Sequence, residues 1–255
     1  MNNVNKELIK LYAKQLRTPS FNRFENIIRQ LSPNDSYEVF LLNMMKQELE
    51  ERFESGQKRR IHTAKFPVTK TFDEFEFSRL EHISEAYIRE LASCDFIKNR
   101  QNIVMIGNPG SGKTHLSIAL GMNACMAGFN VRFYTAINLA TELAEASQLH
   151  RLSKLDKTLS KIELLIIDEL SYLTFNRYQS EMLFQVISER SEKASVIITT
   201  NLEFSEWTQL FENEMMLAAL IDRVTFKSHI LDMNSKLSYR IDTTMKGEIY
   251  NKNLK

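Results

Sequence analysis

The stretch Gly107-Asn-Pro-Gly-Ser-Gly-Lys-Thr114 decides how this chain is read. It fits the pattern G-x-x-x-x-G-K-[ST], in which a glycine-rich turn between a strand and a helix cradles phosphate. Three of the chain's seven glycines, Gly107, Gly110 and Gly112, fall in these eight residues. Such clustering is what a closely wrapped backbone requires, because glycine accepts positive φ. The main-chain N–H groups then turn inward as an anion nest, and the positive end of the next helix faces the phosphates. The pattern assigns nucleotide contact to Gly107, Asn108, Pro109, Gly110, Ser111, Gly112, Lys113, Thr114 and the adjoining His115. Lys113 would reach the β and γ phosphates, and Thr114 would offer its hydroxyl to Mg²⁺. On either side, Asn102-Ile-Val-Met-Ile106 reads as a short apolar strand and Leu116 to Met126 as a helix. That is the order of elements the mechanism needs.

Farther along, Leu164-Leu-Ile-Ile-Asp168-Glu169 is an apolar strand ending in two carboxylates, the form of a Walker B element. Asp168 at the strand end would hold Mg²⁺, and Glu169 would polarise a water for attack on the γ phosphate. The next strand, Ser195-Val-Ile-Ile-Thr-Thr-Asn201, ends in a polar tip. Parallel sheets present ligands at that edge, so Asn201 is the candidate for orienting the lytic water. Arg223, in the helical stretch Leu220-Ile-Asp-Arg-Val224, is read either as a finger for a neighbouring subunit's γ phosphate or as a salt-bridged surface residue. Strands at Val131 to Thr135, Leu164 to Ile167 and Val196 to Thr199 alternate with helices, which predicts an α/β fold with a parallel sheet.

The leading third is different. Lys6 to Leu16 and Phe21 to Leu31 carry apolar residues at helical spacing, with Ser20 placed as a cap for the second helix. A longer helix is expected from Ser36 to about His62. It turns basic near its end, where Lys58, Arg59 and Arg60, with Lys65 beyond, are read as DNA phosphate contacts or as a solvated helix end suited to the helix dipole. Phe72, Phe75 and Phe77 in the linker Thr71 to Phe77 read as packing residues, with adenine contact as the alternative. The expected organisation is a helical domain over residues 1–66, a nucleotide-binding domain over 67–240 and a polar tail over 241–255.

Bulk composition narrows the classes. Lys and Arg number 33 against 32 Asp and Glu, so any nucleic-acid affinity must come from local patches and not from a global field. No apolar run reaches the length of about 20 residues that a membrane span needs, and the amino-terminal residues lack a secretion-signal pattern. A cytoplasmic protein without membrane partners is expected. The two cysteines, Cys94 and Cys125, form no C-x-x-C pair and read as core thiols.

Several elements together, GNPGSGKTHLSIAL, LLIIDELSYL, ITTNLEFSEW, LAALIDRV and the SYR at Ser238 to Arg240, resemble the IstB-type helper ATPases of insertion-sequence transposition. The resemblance extends from about Leu42 to Arg240. It implies an AAA+ P-loop core of the initiator and helicase-loader group, preceded by a small helical domain. It also implies ATP and Mg²⁺ as ligands, duplex DNA and the element's own transposase as partners, and a homo-oligomer formed with ATP. Lys113, Glu169, Asn201 and Arg223 would then be the catalytic set. Ser171, Glu203 and Lys236-Leu237 depart from the family pattern, where Gly, Pro and Gly-Glu are common. Alternatives within the same fold are a replicative helicase loader and a DNA-architectural protein that uses ATP as an assembly switch.

Overall fold

A computed structural model describes residues 3–171, 175–211, 213–235 and 238. The polar tail, and Lys236, Leu237, Tyr239 and Arg240 before it, lie outside the described residues. The chain divides into two compact units, Met1–Arg59 and Arg60–Lys255.

The first unit holds α1 (Asn3–Leu16), a 3₁₀ turn (Pro19–Arg23), α2 (Phe24–Gln30) and most of α3 (Tyr37–Ala64). Its apolar core is small: Phe24, Ile27 and Met44, flanked by Ile9, Phe21 and Phe40. A buried polar anchor supplements it. The Ser20 hydroxyl donates to Glu48 Oε2 at 2.5 Å and the Ser20 N–H donates to the same oxygen at 3.2 Å. Arg52 reaches the other carboxylate oxygen at 2.6 Å while also donating to the Arg17 carbonyl. Burial raises the Glu48 pKa, but the hydrogen bonds from Ser20 and Arg52 outweigh it and hold the carboxyl below its ordinary value. This corrects the expectation that Ser20 caps the second helix. The cap position of α2 is Arg23, and the Ser20 side chain is engaged 28 positions away instead.

The second unit is built on five parallel strands: β1 (Asn102–Ile106), β2 (Val131–Thr135), β3 (Leu164–Asp168), β4 (Ser195–Thr200) and β5 (Ser228–Asp232). Their order is β2-β3-β4-β1-β5. Helices α4 (Glu85–Leu91) and α5 (Asp95–Lys98) precede β1, and α6 (Lys113–Ala127) precedes β2. Helices α7 (Ala136–Gln148) and α8 (Leu152–Leu159) precede β3, α9 (Arg177–Lys193) precedes β4, and α10 (Glu214–Thr225) precedes β5. The central strands are continuous apolar runs because helices cover both sheet faces. Alternate residues serve alternate faces. Val104, Ile106, Leu165, Ile167, Val196 and Ile198 enter one core with Leu143, Leu183 and Trp207. Ile103, Met105, Leu164, Ile166 and Ile197 enter the other with Leu116, Leu120 and Phe133. Cys94 and Cys125 lie in this second core, where burial pushes their thiols up to about 11 and about 12, as inert core residues require. Among the described residues, no helix is long and apolar enough to cross a membrane.

Candidate functional site

Strand order assembles the site. β4 lies between β3 and β1, so the polar tip of β4 sits between the carboxylates that end β3 and the glycine loop that follows β1. The loop runs from Gly107 into α6, with Gly112 at the cap position in a left-handed conformation, φ +96°. A Cβ there would meet the Phe75 ring at 2.9 Å, so both backbone and space reserve the position for glycine. Gly107 is needed for close approach: a Cβ would stand 2.6 Å from the Met233 carbonyl carbon. The segment after β5 clasps the loop from that side. Asn108 donates through Nδ2 to the Ser235 carbonyl at 2.6 Å and accepts from the Ser235 N–H at 3.2 Å, while its own N–H donates to Asn234 Oδ1.

Lys113 is buried at the start of α6, its Nζ donating to the carbonyls of Gly107 at 2.6 Å and Asn108 at 2.9 Å. The ammonium is thus held inside the loop, and Lys113 is part of the pocket lining. Next to it, the Thr114 hydroxyl lies 3.1 and 3.0 Å from the two carboxylate oxygens of Asp168. Thr199 on β4, only 1% exposed, donates to Asp168 Oδ1 at 2.6 Å and accepts from the Glu169 N–H at 2.9 Å. Burial raises the Asp168 pKa above its ordinary value, against the hydrogen bonds from Thr199 and Thr114. Glu169 adopts a left-handed backbone, φ +59°, uncommon for a residue with a side chain. The turn separates the adjacent carboxylates: Asp168 stays buried at the strand end, and Glu169 is exposed on the wall of the pocket.

The pocket has a volume of about 370 Å³, within the range of small-molecule sites. Its floor is Pro109 to His115, and Glu169, Thr199, Thr200 and Asn201 form the side toward the sheet. Val68, Lys70, Phe75 and Arg79 close it from the linker before α4. His115 serves that linker, with Nε2 2.8 Å from the Thr71 carbonyl and its ring edge-on to Phe75. Phe75 faces the pocket, whereas Phe72 and Phe77 pack behind it as expected of core aromatics. The donor set fits the two implied ligands. A glycine loop that opens a helix, with a buried ammonium inside it, suits a polyphosphate, and a hydroxyl beside a carboxylate gives the oxygen ligands a hard divalent cation takes. Among the described residues no cluster of three His, Cys, Asp or Glu exists, so the remaining ligands of such a cation would be phosphate and water oxygens.

The other candidates lie apart. Arg223 is near the end of α10, with Nε 3.4 Å from Glu192 Oε1 at the end of α9. Both helices end just before a strand begins, so Arg223 lies at the opposite edge of the sheet from the pocket, one strand length of roughly 17 Å away. Lys58 and Arg59 are exposed on α3. Arg60 donates through Nε to the Cys125 carbonyl at 2.7 Å near the end of α6, and Lys65 occupies a left-handed position, φ +58°, just after α3. Thr199 is the site residue whose part sequence reading missed. Its signal was present, a hydroxyl at the penultimate position of an apolar strand, but its partners are known only once β3 and β4 are neighbours.

Sheet order, glycine loop and carboxylate strand together define an AAA+ type ATP-binding fold. Residues 12–247 match the family described as IstB-like ATP binding protein, and the chain belongs to that family. It is 34% identical over 230 residues to the insertion sequence IS21 putative ATP-binding protein of Pseudomonas aeruginosa, covering 90% of this chain and 86% of that one. It is 35% identical over 238 residues to the corresponding IS5376 protein of Geobacillus stearothermophilus, covering 92% and 94%. Among solved structures, AMPPCP-bound DnaA from Aquifex aeolicus superposes with a TM-score of 0.54 at 15% identity, over 66% of this chain and 51% of that one. DnaI superposes with a TM-score of 0.51 at 15% identity, over 64% and 87%. These last two likenesses concern the fold.

Proposed function

We propose that the protein hydrolyses ATP as a DNA-binding helper of the transposase of its own element, assembling with itself on target duplex DNA when ATP is bound and regulating transposition through hydrolysis. The observation that carries the hydrolytic part is the arrangement around Thr199, which fixes Asp168 and the backbone of Glu169 through one hydroxyl. A protein that only bound ATP would have no need of the second carboxylate on the pocket wall.

In this reading the loop N–H groups and Lys113 hold the β and γ phosphates, and Val68 and Phe75 supply the apolar wall for the base. Thr114 and Asp168 would hold Mg²⁺, which neutralises charge on the phosphate oxygens. Asn201 orients a water in line with the γ phosphorus, and Glu169 accepts the proton as the new P–O bond forms and the bond to ADP breaks. Arg223, a strand length from its own pocket, acts on the ATP of a neighbouring copy. Catalysis then depends on assembly. Lys58 and Arg59, with Arg60 and Lys65 at the same helix end, contact DNA phosphates. The protein works in the cytoplasm, where DNA and ATP meet.

Mixing Arg223→Ala with Lys113→Ala protein tests the shared site. Each variant alone is expected to be inactive, and the mixture to recover part of the hydrolysis rate because some interfaces pair an intact loop with an intact arginine. A mixture as inactive as its components would rule against Arg223 acting on a neighbouring copy's ATP.

A further inference from the structure

Helix α8 turns Leu152, Leu155 and Leu159 toward the core under the sheet. Its outer side is basic. Arg151, Lys154, Lys157 and Lys161 follow at steps of three, three and four residues, and all are exposed. Lys154 and Lys157 lie within α8, where three-residue spacing makes them neighbours and sets like charge against like charge, an arrangement that destabilises a helix; Arg151 is the N-cap residue and Lys161 follows the C-cap Ser160. No acid stands three or four residues from any member, and Asp156 falls between the steps. Elsewhere the surface does the reverse: Lys10 pairs with Glu7, Arg52 with Glu48, Arg89 with Glu85, Lys98 with Asp95 and Arg177 with Glu181, each within about one turn. Among the described residues the four cations beside α8 have no ion-pair partner within 4.0 Å.

The helix is nevertheless firmly held. Arg190 of α9, itself buried, donates to the carbonyls of Leu159 at 2.7 Å and Ile162 at 2.5 Å, closing the end of α8 just before β3 begins. Burial lowers its pKa to about 10, so it stays charged at neutral pH. The repulsive row is therefore displayed on a fixed support, at the sheet edge away from the ATP pocket.

We infer that this row is a second contact surface for the phosphate backbone of duplex DNA, an inference that rests on the DNA-binding reading above. The eight residues of α8 alone rise about 12 Å, and Arg151 and Lys161 flank that length at either end. At about 3.4 Å of duplex axis per phosphate of one strand, that length matches roughly four phosphates, one for each cation. The apolar face of α8 is already buried in the core, which leaves nothing to insert into a lipid surface. The row reads charge and not bases, so it adds affinity without sequence preference.

Alanine at Lys154, Lys157 and Lys161 together tests this, since all three are exposed and alanine favours the helix at the two positions inside α8. Fluorescence anisotropy with a labelled duplex, in the presence of ATP and between about 50 and 200 mM salt, reads the slope of log affinity against log salt. The triple variant is expected to lose about 2.7 from that slope, so its affinity falls about 40-fold less across the range than that of the parent. ATP affinity and circular dichroism should match the parent, and arginine at the same three positions should keep the slope. A parental slope in the alanine variant would overturn the inference while leaving the DNA reading intact, and more so if Lys58→Ala with Arg59→Ala flattens the slope instead. A parent that binds no duplex at any of these salt concentrations would overturn both.

Discussion

Replacing Thr199 with valine keeps nearly the same volume in a fully buried position and removes one hydroxyl. Two interactions go with it: the 2.6 Å hydrogen bond to Asp168 and the 2.9 Å bond accepted from the Glu169 N–H. A hydrogen bond to a charged group contributes about 1.5–3 kcal/mol, and the second loss is partly made good by water because Glu169 is exposed. A net cost of about 2 kcal/mol is expected, equivalent for a unit of this size to a fall in Tm of roughly 4–8 °C. Asp168 also loses a partner that opposes the upward push of burial on its pKa, and its carboxylate is no longer aimed at Thr114. The Mg²⁺ concentration for half-maximal hydrolysis should therefore rise about tenfold, the equivalent of about 1.4 kcal/mol, while nucleotide affinity measured without Mg²⁺ stays near the parent. Thermal unfolding and Mg²⁺ titration of the ATPase rate check both. A valine variant with the parent's Tm and Mg²⁺ dependence would refute the role given to Thr199.

Glu48→Gln should destabilise the amino-terminal unit by about 1–3 kcal/mol at pH 7, since it removes the charge bonded by Ser20 and Arg52. The sign of the pH dependence follows from the lowered Glu48 pKa: the stabilisation is present above the ordinary value of 4.5 and is lost as pH falls through the folded one. Denaturant unfolding of the two proteins should converge in acid, and a pH-independent gap would argue against the charge. Gly112→Ala meets both a φ of +96° and the Phe75 ring at 2.9 Å. A strain of about 1–2 kcal/mol that the bound loop must bear should cost about 5- to 30-fold in ATP affinity by calorimetry. Phe75→Ala should raise the Kd for ATP and ADP by similar factors, since a base contact is common to both, and unchanged affinities would move the base elsewhere.

The parts legible in the sequence were those whose signal is local. β1 and β3 are buried on both faces, so they appear as unbroken apolar runs, and the glycine loop announces itself by spacing. β5 escaped because it is an edge strand: Ser228-His-Ile-Leu-Asp232 buries only Leu231 fully and has no apolar run to find. Ser20 looked like a helix cap because a hydroxyl before an apolar period normally is one, and the competing acceptor, Glu48, is close only after folding. The clasp of Asn108 by Ser235 joins residues 127 positions apart and has no local mark at all. The basic row beside α8 went unread in the sequence, because only the buried leucines fix which side of the helix faces out.

Hydrolysis rate and particle size measured together, with ATP and with or without duplex DNA, test the central claim most directly. The account expects a larger particle when ATP is present and faster turnover when DNA is added, with Glu169→Gln assembling normally but failing to turn over. A monomer whose hydrolysis ignores DNA, or a Glu169→Gln protein that hydrolyses at the parental rate, would contradict it.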